Sequence, residues 1–201
     1  MFLFLDVASP IPEFHLIKDK NIVVSLKIIE NNDEKLSDNI IPKYLKINDK
    51  YNLNEKITKF IITTGPGSYT ALRVGASFIA GLSQSMELPV AIISTENMYN
   101  FLNKKTMNSG IYFQSSNNQN FLTYKLDEKF VHQKIENKNF IYPEHITHLY
   151  HNLKYPKLNN QSLLFEPFSI QDVVLSNINN LEFSEKIIIK PIYISNNTIL
   201  N

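Results

Sequence analysis

The chain has 201 residues, of which 43% are hydrophobic, and it contains neither cysteine nor tryptophan. This length is enough for one full domain or two small lobes, while the lack of cysteine excludes disulfides, thiolate metal sites and a cysteine nucleophile. Lysine and arginine number 20 against 19 acidic residues, so the net charge of +1 excludes a general basic field for nucleic acid or an anionic membrane.

Three strands are predicted at the start of the chain. Residues 1–6 are apolar and aromatic and end on the carboxylate of Asp6, as a buried strand does. No basic segment precedes this run, and no apolar run reaches the ~18–20 residues of a transmembrane helix, so we expect a cytoplasmic protein without a signal peptide or membrane contact. Residues 13–18 and 22–29 are two further strand-like runs around a turn at 19–21.

The next segment shows a helical pattern. Four apolar side chains recur on one face, namely Leu36, Ile40, Tyr44 and Ile47. Ile41 and Leu45 lie beside this face. Pro42 lies inside the pattern, which predicts either a kinked helix or a helix that begins later.

Residues 60–103 predict alternating strands and helices. Residues 60–63 are a continuous apolar run, typical of a strand that is covered on both faces. A glycine turn leads from them into a long helix from about Tyr69 to Met86, which is followed by a strand at 88–93 and a helix at 95–103. Short links between these elements imply a right-handed parallel crossover, so the first half is predicted to be α/β.

The second half is less regular. A polar linker at 103–110 is a plausible boundary between lobes. A small antiparallel meander is predicted from three strands, at 111–114, 121–126 and 131–135. The remaining predicted elements are a helix at 143–152 that begins with Pro143, a strand at 162–165, a short helix at 170–178, and a last strand at 187–194 that Pro191 interrupts.

The segment most informative about function is the turn between the strand at 60–63 and the long helix. Glycines on both sides of Pro66 allow a sharp turn, and Ser68 or Thr70 can cap the helix. A helix start behind a glycine turn can also bind an anion, although the lysine of a phosphate-binding loop is absent. From these residues alone, a tight corner that binds nothing is favoured.

The long helix is apolar on most of its faces. Such a helix must be covered twice, whereas a helix on a sheet needs only one apolar stripe. Small residues would let another helix approach closely: Gly75, Ala76, Ala80 and Gly81. The second cover is either the 36–47 helix of the same chain or a partner protein, and the sequence leaves both open.

Two further groups are candidates for metal chemistry. On a helix, His145 and His148 could share a metal while His151 falls off their face, so a solvated helical face is favoured. Asp6 could coordinate a metal–phosphate complex, but no second acidic strand end accompanies it.

The run Gly65-Pro66-Gly67-Ser68-Tyr69-Thr70-Ala71-Leu72-Arg73-Val74-Gly75 is similar to a family signature, G-P-G-S-[FY]-T-G-[LV]-R-[IV]-G. It is that of the TsaB (YeaZ) family, glycoprotease-like proteins of the bacterial machinery that makes threonylcarbamoyladenosine in tRNA. The strong similarity spans residues 61–95. Residues 3–8 resemble the opening strand of the family, and residues 191–194 resemble its closing P-x-Y-[LI] motif.

The resemblance implies an actin-like, Hsp70-like α/β fold of two ribonuclease-H-like lobes, here residues 1–103 and a reduced second lobe at 104–201. It also implies a non-catalytic subunit that binds a TsaD-type transferase through the helices at 36–47 and 69–86. The implied contact residues are Leu36, Ile40, Tyr44, Arg73, Val74, Ser77, Phe78 and Gly81. The implied signature turn consists of Gly65, Pro66, Gly67, Ser68 and Thr70.

The same resemblance implies that this chain holds no catalytic residue and no metal. The transferase carries an H-x-x-x-H metal pair at positions that correspond to Thr95 and Tyr99, and neither can replace histidine. ATP and a metal are therefore expected in the partner subunits, which are a TsaD-like transferase and a TsaE-like ATPase. We expect contact with tRNA only through these partners, and a homodimer of the isolated chain is left open.

The alternative comes from another class of protein. An actin-fold ATPase or phosphotransferase would use Asp6 and the loop from Gly65 to Ser68. Such an enzyme would also need a second phosphate loop, and the second half of the chain has no glycine-rich candidate for one.

Overall fold

Two β-sheets with flanking helices form the fold in the computed structural model of the protein. The structure describes residues 1–31, 33–103, 108–136, 140–154, 163–185, 188–194 and 199–200. None of the helices in these ranges is both long enough and apolar enough to cross a membrane.

The first sheet is mixed. Its strands in the described part of the chain are β1 (Phe2–Asp6), β2 (Glu13–Lys18), β3 (Asn21–Lys27), β4 (Lys59–Gly65) and β5 (Val90–Ser94). The spatial order is β3-β2-β1-β4-β5. Strands β1, β4 and β5 are parallel to one another, β2 is antiparallel to β1, and β3 is antiparallel to β2. The predicted strands and the predicted parallel crossover are confirmed. The apolar runs of β1 and β4 are buried because both faces of the sheet are covered.

Four helices in the described part of the first half of the chain accompany this sheet. They are α1 (Leu36–Tyr51), α2 (Leu53–Lys56), α3 (Tyr69–Met86) and α4 (Thr95–Leu102). Of the two alternatives predicted for Pro42, the later helix start is wrong, because α1 begins at Leu36 and contains Pro42. Asn52, in the left-handed conformation, ends α1. Ser94 caps α4 by accepting a hydrogen bond from the backbone N–H of Asn97.

The second sheet contains the predicted meander. Its strands among the described residues are β6 (Ser109–Gln114), β7 (Asn120–Leu126), β8 (Lys129–Ile135), β9 (His148–His151), β10 (Leu164–Pro167) and β11 (Ile199–Leu200). Their order is β10-β9-β6-β7-β8-β11. The antiparallel arrangement of β6, β7 and β8 is confirmed.

The helix predicted at 143–152 is wrong. Residues 148–151 form β9, which pairs in parallel with β6 on one side and with β10 on the other. Long-range pairing decides the outcome here, because Leu149 and Tyr150 are buried when the segment is extended between two strands. His145 and His148 therefore share no helix face, and His148 instead places Nε2 2.9 Å from a carboxylate oxygen of Glu166.

The last part of the chain differs from the prediction in one further element. The short helix is confirmed as α5 (Ile170–Ser176). Residues 188–194 form no strand, and the backbone N–H of Ile192 instead donates a 2.7 Å hydrogen bond to the carbonyl of Thr64. Ser162 and Ile187, the first residues of two predicted strands, lie outside the described residues.

One large hydrophobic core joins the two sheets. It includes the first sheet and its helices, and it continues through α5 to Ile111 and Phe113 of β6. A smaller cluster, with Leu122 and Leu149 at its centre, lies on the second sheet alone. The predicted lobe boundary at 103/104 stays a prediction, since residues 104–107 lie outside the described residues.

Candidate functional site

The glycine turn forms a corner that only glycine can occupy at its first position. Gly65 has a φ of +106°, and a Cβ there would lie 2.9 Å from both the carbonyl oxygen of Ile192 and a methyl carbon of Leu72. The Thr95 hydroxyl donates a 2.6 Å hydrogen bond to the Gly65 carbonyl, and the Gly65–Pro66 peptide bond is cis. The turn is thus fixed by β5, α4 and the closing segment together.

Asp6 holds the neighbouring loop. Its Oδ1 accepts hydrogen bonds from the backbone N–H groups of Ala8 (3.0 Å) and Ser9 (3.2 Å) and from the hydroxyl of Thr63 (2.9 Å). The Thr63 hydroxyl oxygen in turn accepts from the backbone N–H of Val7 at 2.9 Å. This carboxylate is almost completely buried, and its observed contacts position the backbone beside the glycine turn.

The predicted side-chain cap at the start of α3 is wrong. Ser68 occupies the position before α3, but its side chain makes no capping hydrogen bond, and Thr70 already lies inside the helix. The helix is instead begun by a backbone hydrogen bond from Leu72 N–H to the Ser68 carbonyl, at 2.9 Å.

The only arginine of the chain lies on the exposed side of this helix. Arg73 donates a 2.9 Å hydrogen bond to the Tyr69 hydroxyl, and its guanidinium carbon lies 5.1 Å from the centre of the Tyr69 ring. The Tyr69 ring packs against Tyr193 with centroids 4.6 Å apart. The pKa of Tyr193 is raised by desolvation and by Tyr69, partly offset by Arg73. The signature and the closing motif therefore meet in space.

Helix α1 supplies much of the second cover of α3. Phe78 packs edge-on against Tyr44, with centroids 5.4 Å apart, and in a tilted arrangement against Phe14, with centroids 5.8 Å apart. The Tyr44 hydroxyl donates a 2.7 Å hydrogen bond to Asn54, and burial raises the pKa of Tyr44. Three of the predicted contact residues, Leu36, Ile40 and Tyr44, are at most 5% exposed because they fill the space beneath α1.

A groove of about 580 Å³ runs between α1 and α3. Of the predicted contact residues, Arg73, Val74, Ser77 and Phe78 line its α3 side, with Arg73 and Ser77 exposed and Val74 and Phe78 half-buried. Gly81 is also exposed, and a Cβ there would meet no atom within 4 Å.

Sequence reasoning did not assign four exposed apolar residues to this surface. Ile41 and Tyr69 line the groove and are 55% and 56% exposed, Leu45 lies one turn beyond Ile41, and Tyr193 packs on Tyr69. The i, i+4 spacing of Ile41 and Leu45, displaced from the buried face of α1, is the sequence signal that could have identified two of them.

Thr95 and Tyr99, which the resemblance predicts to correspond to the transferase histidines, are both packing residues. Thr95 is buried and bonded to Gly65, and Tyr99 packs edge-on against Phe130 with centroids 5.4 Å apart. Within the ranges that the structure describes, no three histidine, aspartate or glutamate side chains come together as a metal site would require.

The sequence matches one family model, described as TsaD, tRNA N6-adenosine threonylcarbamoyltransferase, over residues 29–144. This is more than half of the chain. The chain belongs to the TsaD family. A search of curated proteins finds no match.

Solved structures show which fold this member of the TsaD family has. A Pseudomonas aeruginosa protein with similarity to the peptidase YEAZ superposes with a TM-score of 0.61 at 12% identity, covering 96% of this chain and 98% of that one. YeaZ from the same organism superposes with a TM-score of 0.58 at 10% identity, covering 96% and 99%. The predicted resemblance and the actin-like, ribonuclease-H-like fold are confirmed.

Proposed function

We propose that this member of the TsaD family is a non-catalytic subunit that binds a TsaD-type transferase. It would act in the formation of threonylcarbamoyladenosine in tRNA, together with a TsaE-like ATPase in the larger assembly. The proposed contact is the α1–α3 surface, defined as Ile41, Leu45, Tyr69, Arg73, Val74, Ser77 and Gly81.

One observation carries this proposal. Ile41 and Tyr69 expose more than half of their surface on either side of one groove, next to the exposed small residues Ser77 and Gly81. Clustered exposed apolar groups are typical of protein interfaces, and small residues allow a second helix to approach closely. Arg73, held against Tyr69, adds a planar cation at the rim of the groove.

The absence of a transferase activity in the isolated chain is proposed on different grounds. Thr95 and Tyr99 stand where the transferase has histidines, and both are engaged in internal packing. Asp6 uses Oδ1 to hold its own loop. These contacts support a role in which the partner supplies the reactive groups.

The partner contact can be tested by co-purification with the TsaD-type transferase of the same genome. Ile41→Asp places a charge in the groove, and Gly81→Arg fills open space on α3, so neither change disturbs the core of the chain. We expect each to weaken binding by roughly tenfold or more, as for residues central to an interface.

Leu126→Asp is the matched control for this experiment. Leu126 is 46% exposed at the end of β7, outside the α1–α3 surface, and its replacement should leave binding unchanged. Circular dichroism verifies that each variant is folded. Wild-type affinity in both folded groove variants would refute the proposed interface.

Calorimetry separates this role from the alternative of an actin-fold ATPase. The isolated chain, titrated with Mg-ATP, is expected to show no turnover. Tight binding followed by release of phosphate, both lost in Asp6→Asn, would favour the ATPase.

A further inference from the structure

A second cavity lies at the opposite edge of the first sheet from the glycine turn. Its volume is about 750 Å³. The strand register brings Phe2 of β1 between Ile17 of β2 and Lys59 of β4, and these three residues form part of its wall. The edge is the one where β1 and β4 begin, whereas Asp6 and Gly65 mark their other ends.

Four lysines from different elements surround this cavity. Lys18 ends β2, Lys20 lies in the following turn, Lys56 ends α2 and Lys59 begins β4. Among the described residues that line the cavity, Asp19 is the single acidic one. In a chain whose net charge is only +1, this is a local concentration of positive charge.

In the part of the chain that the structure describes, no carboxylate pairs with any of the four ammonium groups. Across the described residues, none of them has a carboxylate oxygen within 4.0 Å. Lys43 and Lys134, by contrast, are paired with Glu30 and Glu136. Unpaired charges around a concave surface focus a positive potential into it.

The inner wall of the cavity is apolar and aromatic. The rings of Phe2 and Phe183 lie 5.7 Å apart, and the ammonium of Lys59 lies 4.3 Å from the centre of the Phe183 ring. A ligand that suits this wall carries negative charge on one side and a flat, weakly polar face on the other. Phosphate groups joined to nucleobases have both features.

We propose that this cavity binds single-stranded RNA, with the lysines contacting phosphates and Phe183 contacting a base. The inference rests on the proposed role in tRNA modification. It departs from the expectation that this chain reaches tRNA only through its partners, because it gives the chain its own contact with RNA. Lysines spread over four elements match a run of phosphates better than one small anion. A concave aromatic wall also differs from the flat amphipathic surface that a membrane requires.

The test measures binding of a fluorescent single-stranded RNA of about twelve nucleotides to the purified full chain by polarisation. If three or four phosphates are contacted, affinity should fall about 20- to 50-fold between 50 and 200 mM salt. Lys20→Gln and Lys56→Gln should each weaken binding and make the salt dependence shallower by about 0.7 in log–log slope, the value for one contact to a single strand.

Lys129→Gln is the matched control. Lys129 is an exposed lysine that directly follows the turn at Asp127 and Glu128 in the second sheet. Lys18 directly precedes a similar turn, at Asp19 and Lys20, in the first sheet. The Lys129→Gln variant should leave the RNA affinity and the slope of its salt dependence unchanged. Phe183→Ala should weaken binding without changing the slope, which distinguishes base stacking from charge.

Several outcomes would overturn the assignment. The first is that the folded chain does not bind RNA. The second is an equal loss of RNA affinity in Lys56→Gln and Lys129→Gln. The third is tighter binding to vesicles of equal parts phosphatidylglycerol and phosphatidylcholine than to RNA. Displacement of the RNA by AMP or inorganic phosphate at matched phosphate concentration would assign the cavity to a small anion. Transferase binding by Lys56→Gln is measured separately, so failure here is distinguishable from failure of the proposed function.

Discussion

Two glycines on α3 have opposite surroundings. A Cβ on Gly75 would lie 2.8 Å and 2.9 Å from the two methyl carbons of Val7, which follows β1. A Cβ on Gly81 would meet nothing within 4 Å. Both residues are part of the helix, so the backbone conformation is the same and only the space beyond it differs.

We expect Gly75→Ala to destabilise the protein by about 1–3 kcal/mol, because the added methyl overpacks a contact between helix and sheet. Gly81→Ala should instead stabilise it by about 0.5–1 kcal/mol, because alanine is the better helix former and the space is free. Urea denaturation of the two variants measures both effects. Equal changes in the two would contradict the close approach of α3 to Val7.

Helix α4 links the two sheets through a buried histidine. His132 of β8 places Nδ1 2.9 Å from the Thr123 hydroxyl of β7 and Nε2 3.0 Å from the carboxylate of Glu96 on α4. Thr123 and His132 are completely buried, whereas the Glu96 side chain is partly exposed. The same helix contacts β8 through Tyr99 and Phe130.

His132→Leu should cost about 1–3 kcal/mol of stability, since it leaves the buried Thr123 hydroxyl without its partner. The double variant Thr123→Val, His132→Leu should recover part of this loss, because replacing both partners removes the unsatisfied group. A double-mutant cycle by chemical denaturation tests the pair. Strictly additive losses would show that the two side chains do not interact.

Helix α5, in the last part of the chain, contacts strand β2 near the start of the chain. Gln171 of α5 places Nε2 3.3 Å from Nε2 of His15 in β2, and His15 Nδ1 lies 2.8 Å from the Ser25 hydroxyl of β3. His15 is completely buried. Burial lowers its pKa below the ordinary value, although the charge of Asp6 acts in the opposite direction.

Stability should therefore decrease as pH falls from 7.5 to 5.5. The unfolded chain takes up a proton at His15 near pH 6.5, whereas the folded chain resists it, so the unfolded state is favoured by up to about 1.4 kcal/mol per pH unit. His15→Gln should make this dependence shallower in urea denaturation at each pH. His151→Gln should do the same, because burial lowers the pKa of that histidine too. An unchanged dependence in both variants would contradict the prediction.

Short-range patterns in the sequence predict part of the fold correctly. The apolar runs of β1 and β4, the glycine turn and α3 lie where the sequence predicts them, because burial on both faces and a sharp strand-to-helix turn each require particular residues in consecutive positions. The signature in residues 65–75 likewise indicated a resemblance to the TsaB (YeaZ) family, which the TsaD family match over residues 29–144 and the superposition on YeaZ together confirm.

Other features depend on contacts between residues that are far apart in the chain, and they emerge only in the folded protein. Residues 148–151 became a strand because β6 and β10 lie on either side of them, which periodicity alone cannot reveal. Leu36, Ile40 and Tyr44 proved to be core residues because α1 turns them toward the rest of the chain. Lys18, Lys20, Lys56 and Lys59 share one cavity because β1 and β4 pair in parallel and α2 ends beside them. Their spacing along the sequence gives no sign of this, since strand pairing brings together residues that are far apart in the chain.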